Sequence, residues 1–129
     1  MLHRVIYASE AVGATGTSVL SIAQILGESE INNRRDHLTG CIMFHRGHIL
    51  QVIEGARTDL DRLMRRLLAD PRHANVRVLV DMPIAARAMD EPMSLCGDPA
   101  ALLERAGLTG IPNITANEAE AMLDLRAAA

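Results

Sequence analysis

Hydrophobic and polar residues alternate along four stretches of the chain, and this alternation predicts four β-strands. In the first stretch Val5, Tyr7 and Ser9 share one face. The turn Arg46-Gly47 separates the second and third stretches and predicts a hairpin, since glycine readily adopts the positive φ that such a turn needs. The predicted strands are residues 2–9, 41–45, 48–54 and 76–80.

Two further segments have apolar residues at helical spacing. The first helix is predicted to begin after a cap at Thr17 or Ser18 and to end near Ser29 or a little beyond, at the turn-rich segment INNRRDHLTG. The second is predicted to begin near Thr58 and Asp61 and to stop at Asp70-Pro71. Its expected buried stripe consists of Leu60, Leu63, Met64, Leu67 and Leu68.

The order strand, helix, strand, strand, helix, strand predicts an α+β fold of the ferredoxin-like βαββαβ type. Strands one and three then lie side by side at the centre of the sheet, with both helices on one face. An irregular fifth edge strand is expected after Pro83. We expect a domain over residues 1–95 and a helical C-terminal extension over 96–129, which packs on the sheet or on a second copy.

The extension is predicted to contain two short helices. Asp98 and Pro99 are suited to start the first, and Thr115 with Glu118 forms a capping box for the second.

Composition excludes several classes of function. The 13 basic and 16 acidic residues give a net charge of −3, without the basic excess typical of nucleic-acid binding. No run approaches the roughly 20 apolar residues of a membrane span. Cys41 and Cys96 lack metal-type spacing, which favours reduced thiols in a cytoplasmic protein. A metal site is not expected, because His37, His45, His48 and His73 lack suitably spaced cysteine or carboxylate partners.

Gln51 is the most informative single residue, because alternation places its amide on the same face as Ile49 and Ile53. An unpaired buried amide costs about 1 to 3 kcal/mol, so a polar partner is expected above this face. Tyr7, the only tyrosine, falls on the neighbouring strand. Taken singly, Tyr7 and Gln51 are also compatible with bonds to the backbone or to a neighbouring strand, and Asn32-Asn33 with a helix-ending turn.

Four motifs taken together resemble the BLUF domain, the blue-light sensor that uses FAD. They are VIYAS near the start, NNRRDHLTG after helix one, ILQVIEG in strand three and ADPRH after helix two, and the resemblance covers roughly residues 2–95. It implies an isoalloxazine ring between the two helices, approximately perpendicular to the sheet. The polar edge of the ring would face Tyr7 and Gln51.

The resemblance also implies roles for individual residues. Tyr7 corresponds to the photoactive tyrosine and Gln51 to the switching glutamine. Tyr7 would give an electron and a proton to the light-excited flavin and recover both after Gln51 has changed its hydrogen bonds, which is photochemistry rather than enzymatic turnover. The other implied flavin contacts are Ile25, Asn32 and Asn33 at the ring and Arg66, Arg72 and His73 near the ribityl phosphate.

The chain departs from the BLUF pattern at several positions. Ile49 and Met89 stand where aromatic residues are usual. In the segment DEPMSLCG the usual tryptophan and methionine are replaced by Pro92 and Ser94, or by Met93 and Leu95 if the alignment shifts by one residue. Signal transfer through the fifth strand and flavin retention are the properties that these departures affect.

The leading hypothesis is a stand-alone FAD photoreceptor without its own output enzyme, since residues 96–129 are too few for a cyclase or phosphodiesterase. It would act as a homo-oligomer or through an unknown partner protein. The alternative is a BLUF-like interaction module that has lost flavin or photoactivity. An acylphosphatase-like hydrolase ranks last, because EAVGATGT does not resemble a short phosphate-cradling loop.

Overall fold

A computed structural model of the protein describes residues 1–12 and 19–128. The predicted caps Thr17 and Ser18 lie outside the described residues. The elements are, in chain order, β1 (Leu2–Ala11), α1 (Val19–Arg35), β2 (Thr39–His45), β3 (His48–Ala56), α2 (Arg57–Ala69), β4 (His73–Ile84), β5 (Ser94–Leu95), α3 (Pro99–Arg105) and α4 (Ala116–Ala128).

The strands form one mixed sheet in the order β4-β1-β3-β2-β5. β1 pairs antiparallel with both β3 and β4, and Tyr7 lies directly opposite Gln51. β5 pairs with β2 in parallel, with Cys41 opposite Ser94. The predicted ferredoxin-like arrangement and the short fifth edge strand are therefore confirmed, and the two central strands carry the two residues of interest.

The two faces of the sheet bury different residues, because side chains alternate along each strand. Odd-numbered residues of β1 and β3 face α1 and α2, where Ile25 and Leu60 are buried. Even-numbered residues face α3 and α4, where Leu103 and Met122 belong to the same buried cluster as Ile6. The C-terminal helices thus pack on the sheet of their own chain, one of the two arrangements expected.

The prediction for the first helix was wrong at its C-terminal end. α1 continues six residues beyond Ser29 to Arg35, so Asn32 and Asn33 lie within the helix rather than in a turn. The polar INNRR segment has poor apolar periodicity, but Asn33 points inward and is fully buried. The prediction depended on apolar residues at helical spacing, and the buried residue at this position of the helix is polar.

Details of the second helix and of the strands also differ from prediction. α2 begins at Arg57 with Ala56 in the N-cap position, rather than near Thr58 and Asp61. Leu68, expected in the buried stripe, is 67% exposed. Strand four was predicted over residues 76–80, but β4 extends to Ile84 and includes Pro83, which an edge strand tolerates because one side of its backbone needs no partner.

The predicted hairpin turn, the end of α2 and the caps of α3 and α4 are confirmed. Gly47 has φ of 79° in the hairpin turn, and α2 ends before Asp70. The Asp98 carboxylate accepts a hydrogen bond from the backbone N–H of Ala101. Thr115 and Glu118 exchange the two bonds of a capping box.

Candidate functional site

A cavity of about 170 Å³ lies between α1 and α2, above the centre of the sheet. Tyr7 of β1 and Gln51 of β3 form its floor, and they are only 1% and 5% exposed. The residues lining the cavity are Tyr7, Ile25, Glu28, Ser29, Asn32, Asn33, Ile42, Gln51, Leu63, Arg66, Leu67, Asp70, Arg72 and His73.

Tyr7 and Gln51 are directly hydrogen-bonded at this floor. The phenol hydroxyl donates to Oε1 of Gln51, and the Nε2 of the same amide lies 4.0 Å from the sulfur of Met93. The amide therefore presents its acceptor to tyrosine and its donor to a weak acceptor. Rotation of the amide by half a turn would exchange these two ends, which gives Gln51 two distinguishable hydrogen-bonded arrangements.

Burial fixes the protonation of Tyr7. Removal from water raises the pKa of the phenol far above its usual value, and the nearby Asp70 carboxylate raises it further. Tyr7 is consequently a neutral proton donor to Gln51 at any physiological pH. An electron can leave this phenol readily only if its proton leaves as well, because a charged group is disfavoured there.

His73 packs beside the phenol. Its ring centroid is 6.4 Å from that of Tyr7 in an edge-to-face arrangement, and its Nδ1 is 3.1 Å from the hydroxyl of Ser9. Burial lowers the pKa of His73, although Asp70 opposes this shift. The imidazole beside Tyr7 is therefore expected to be neutral at pH 7.

Two buried polar atoms at the cavity have no hydrogen-bond partner among the residues that the structure describes. They are the Oδ1 of Asn33, an acceptor, and the Nη2 of Arg66, a donor. The Nδ2 of Asn33 is already used, since it donates to the backbone oxygen of Pro92 at 2.8 Å. A ligand that offers both an N–H group and an oxygen would satisfy both atoms, and a flavin fits this requirement, since it has N–H and carbonyl groups on its ring and further oxygens along its ribityl chain.

Ion pairs connect the two walls at the outer part of the cavity. Arg66 of α2 lies 3.3 Å from Asp36, just beyond α1. Arg72 contacts Asp70 at 2.7 Å and also Glu28 of α1 at 2.9 Å. Bonds from Arg35 and Arg66 lower the pKa of Asp36, and bonds from Arg72 lower the pKa of Asp70, so both carboxylates are charged at neutral pH.

A model of the family "Sensors of blue-light using FAD" matches residues 2–93 of the chain. The chain belongs to this BLUF family. The match extends from the start of β1 to Met93, and it therefore includes every residue that lines the cavity. The predicted family is thereby confirmed.

Individual relatives agree with this assignment. The photoactivated adenylate cyclase subunit beta of Euglena gracilis is 33% identical over 86 residues, which are 67% of this chain and 10% of that protein. The dark-state structure of BlrB, a BLUF protein, is 31% identical with a TM-score of 0.81, and the match covers 98% of this chain and 96% of BlrB. The ground state of BlsA, at 18% identity, has the same fold, with a TM-score of 0.86 over 100% of this chain and 89% of BlsA.

The structure brings all eight predicted flavin contacts to one cavity. Sequence reasoning missed several other lining residues, of which Glu28 carries charge and lies one helical turn before Asn32. If the first helix had been predicted to continue through Asn32, the spacing of four residues would have placed Glu28 on the same face as Asn32. The sequence also left open whether Pro92 and Ser94, or Met93 and Leu95, occupy the positions of the usual tryptophan and methionine, and the structure places Met93 beside the Gln51 amide.

Arg72 and Arg66 differ in how free they are for a ligand. Arg72 already contacts two carboxylates, whereas the Nη2 of Arg66 has no partner within the described part of the chain.

Among residues 1–12 and 19–128, none of the helices is long and apolar enough to cross a membrane.

Proposed function

We propose that this BLUF domain binds FAD between α1 and α2 and acts as a blue-light photoreceptor, with Tyr7 and Gln51 as its photoactive pair. The observation that carries the proposal is the buried hydrogen bond from Tyr7 to Gln51, beside a cavity with an unpaired acceptor on Asn33 and an unpaired donor on Arg66.

A bound flavin supplies absorption of blue light and acceptance of an electron. Asn33 would hold its polar edge and Ile25 would pack on the ring, while Arg66, at the outer part of the cavity, would lie toward the ribityl chain. The donor Nη2 of Arg66 pairs with an oxygen, and the acceptor Oδ1 of Asn33 pairs with an N–H group. These contacts orient the ring with respect to Tyr7 and exclude water from the floor of the cavity.

Tyr7 releases one electron and one proton together, because a charged phenol is strongly disfavoured at this buried position. Its proton would pass along the hydrogen bond to the Oε1 of Gln51, and both the electron and the proton would be held by the bound flavin until they return. Tyr7 later recovers both particles, so no net oxidation remains. Gln51 meanwhile settles with its donor and acceptor ends exchanged, and this altered hydrogen bonding is the stored signal.

Met93 is the first residue to experience the change, since its sulfur faces the Nε2 of Gln51. Met93 immediately precedes β5, whose Ser94 accepts a hydrogen bond from Arg126 of α4. We propose that the output passes through β5 and α4 to a partner protein or to a second copy of the chain. The enzymatic activity named for the Euglena relatives belongs to those much longer proteins.

The test is an absorption spectrum of the purified protein with FAD, recorded before and after blue illumination. A small red shift that reverses in darkness is expected, and Gln51→Leu should abolish it while leaving the bound flavin yellow. Met43→Leu is the matched control, because Met43 is equally buried but belongs to the cluster on the opposite face. Protein that stays colourless with added FAD would contradict flavin binding, and a shift that survives in Gln51→Leu would contradict the mechanism.

A further inference from the structure

Glu28 places a carboxylate at the mouth of the flavin cavity. Its side chain is 48% exposed and lines the cavity from α1, whereas the floor residues are almost fully buried. A flavin bound with its ring over Tyr7 and Gln51, as proposed above, would extend its ribityl chain toward this mouth.

The mouth carries balanced charge. Its two guanidinium groups, Arg66 and Arg72, are matched by the carboxylates of Glu28 and Asp70. Arg72 is the closest cation to Glu28, at 2.9 Å, and this contact crosses from α1 to the turn that follows α2. Glu28 therefore occupies a position on Arg72 that an anionic ligand group would otherwise use.

The common flavins differ mainly in charge beyond the ribityl chain. Riboflavin is neutral there, whereas FMN and FAD carry about two negative charges at pH 7. A carboxylate at the mouth repels phosphate and competes with it for Arg72, but has no comparable effect on riboflavin. Coulomb attraction at a wet surface changes binding by about threefold to tenfold per unit charge at close range.

We infer that Glu28 is a specificity-determining residue that reduces the preference of this site for phosphorylated flavins over riboflavin. The inference depends on the flavin binding proposed above. It assigns Glu28 a role in ligand selection, separate from the photoactive pair and from the residues that hold the ring.

The experiment measures the affinities of riboflavin, FMN and FAD by quenching of flavin fluorescence. It compares the wild type with one variant that removes a negative charge from the mouth and one that removes a positive charge. Glu28→Gln should tighten FMN and FAD about threefold to tenfold and leave riboflavin within twofold. Arg72→Gln should weaken FMN and FAD by a similar factor, again with little effect on riboflavin. Both differences should shrink in 0.5 M salt, because salt screens exposed charges.

Glu30→Gln is the matched control. Glu30 lies on the same helix and pairs with Arg34 at 3.0 Å, but it does not line the cavity. Its substitution removes an exposed ion pair without changing the charge at the mouth, so all three affinities should stay constant. Glu28→Ala should reproduce the effect of Glu28→Gln if loss of charge is its cause.

The outcomes separate this inference from the proposed function. If Glu28→Gln and Arg72→Gln both lower the affinities for all three flavins equally, the ion pair only holds the two walls of the cavity together and the inference is wrong. Unchanged ratios between riboflavin and FMN in both variants would also overturn it, while flavin binding itself stands. Failure of the wild type to bind any flavin removes the proposed function and this inference together.

Discussion

The face of the sheet beneath α3 and α4 is packed with apolar side chains from Ile6 to Val80, whereas the face beneath α1 and α2 buries Tyr7, Ser9 and Gln51. The first face is closed by the chain itself. The second keeps a cavity and two buried polar atoms, on Asn33 and Arg66, that lack partners in the described part of the chain.

This difference shows that one face of the sheet stabilises the fold, whereas the other retains polar groups that a ligand can contact. Close packing of the single apolar cluster beneath α3 and α4 stabilises the domain through burial of apolar surface. On the other face, polar groups that would destabilise a closed core are retained where a ligand can satisfy them. Neighbouring residues of β3 serve opposite purposes, because Leu50 and Val52 pack on the closed face and Gln51 between them faces the cavity.

The largest expected effect is the difference between truncating a fully buried leucine on the closed face and a partly exposed leucine at the cavity wall. Leu103→Ala removes a side chain that is 2% exposed in the closed core and should lower the free energy of unfolding by about 2 to 5 kcal/mol. Leu63→Ala, at the partly exposed cavity wall, should cost only about 1 kcal/mol. Urea unfolding of the flavin-free proteins measures both values, and equal losses would show that the two faces are packed alike.

A smaller effect is expected from removal of the Asn33 side chain, which tests whether a buried polar group at the cavity contributes to flavin binding. Asn33→Ala eliminates the acceptor meant for the ligand and the bond to Pro92, and should weaken flavin binding about 10- to 100-fold, equivalent to 1 to 3 kcal/mol. Fluorescence titration provides the measurement. Asn32→Ala, one residue away and only half-buried, is the comparison, and equal losses in the two variants would argue against a specific role for Asn33.

The smallest predicted effect is a dependence of stability on pH that originates on the cavity face. Burial lowers the pKa of His73 below its ordinary value of 6.5, so the unfolded chain binds this proton more readily than the folded protein does. Stability should therefore fall as the pH decreases below 6.5, until His73 is protonated in the folded state as well. Asp70 and Arg72, the charged groups near the ring, stay ionised throughout this range.

Stability measured between pH 7 and pH 5 for the wild type and for His73→Gln checks this expectation. The variant should show a shallower decline. Losses due to Asp36 and Asp70 belong to a separate and more acidic range, because their lowered pKa values lie below 3.8. An identical slope in the two proteins would mean that His73 does not contribute.

The strands, the hairpin and the caps of α3 and α4 were predictable because each depends on residues close in sequence. Alternation in β1 and β3 placed Tyr7 and Gln51 on one face, and glycine at position 47 fixed the hairpin. Prediction failed where a polar side chain turns inward. The last six residues of α1 resemble a loop in sequence, but Asn33 is buried there against the cavity.

The sequence by itself determined the order of strands and helices, the shared face of Tyr7 and Gln51, and the family, since these follow from local periodicity and from motifs in register. Only the tertiary structure decided that Met93 faces the Gln51 amide, that Glu28 meets Arg72 across the cavity mouth, and that α4 packs on its own sheet. These are contacts between residues distant along the chain. Their geometry depends on how whole elements pack, which no local pattern encodes.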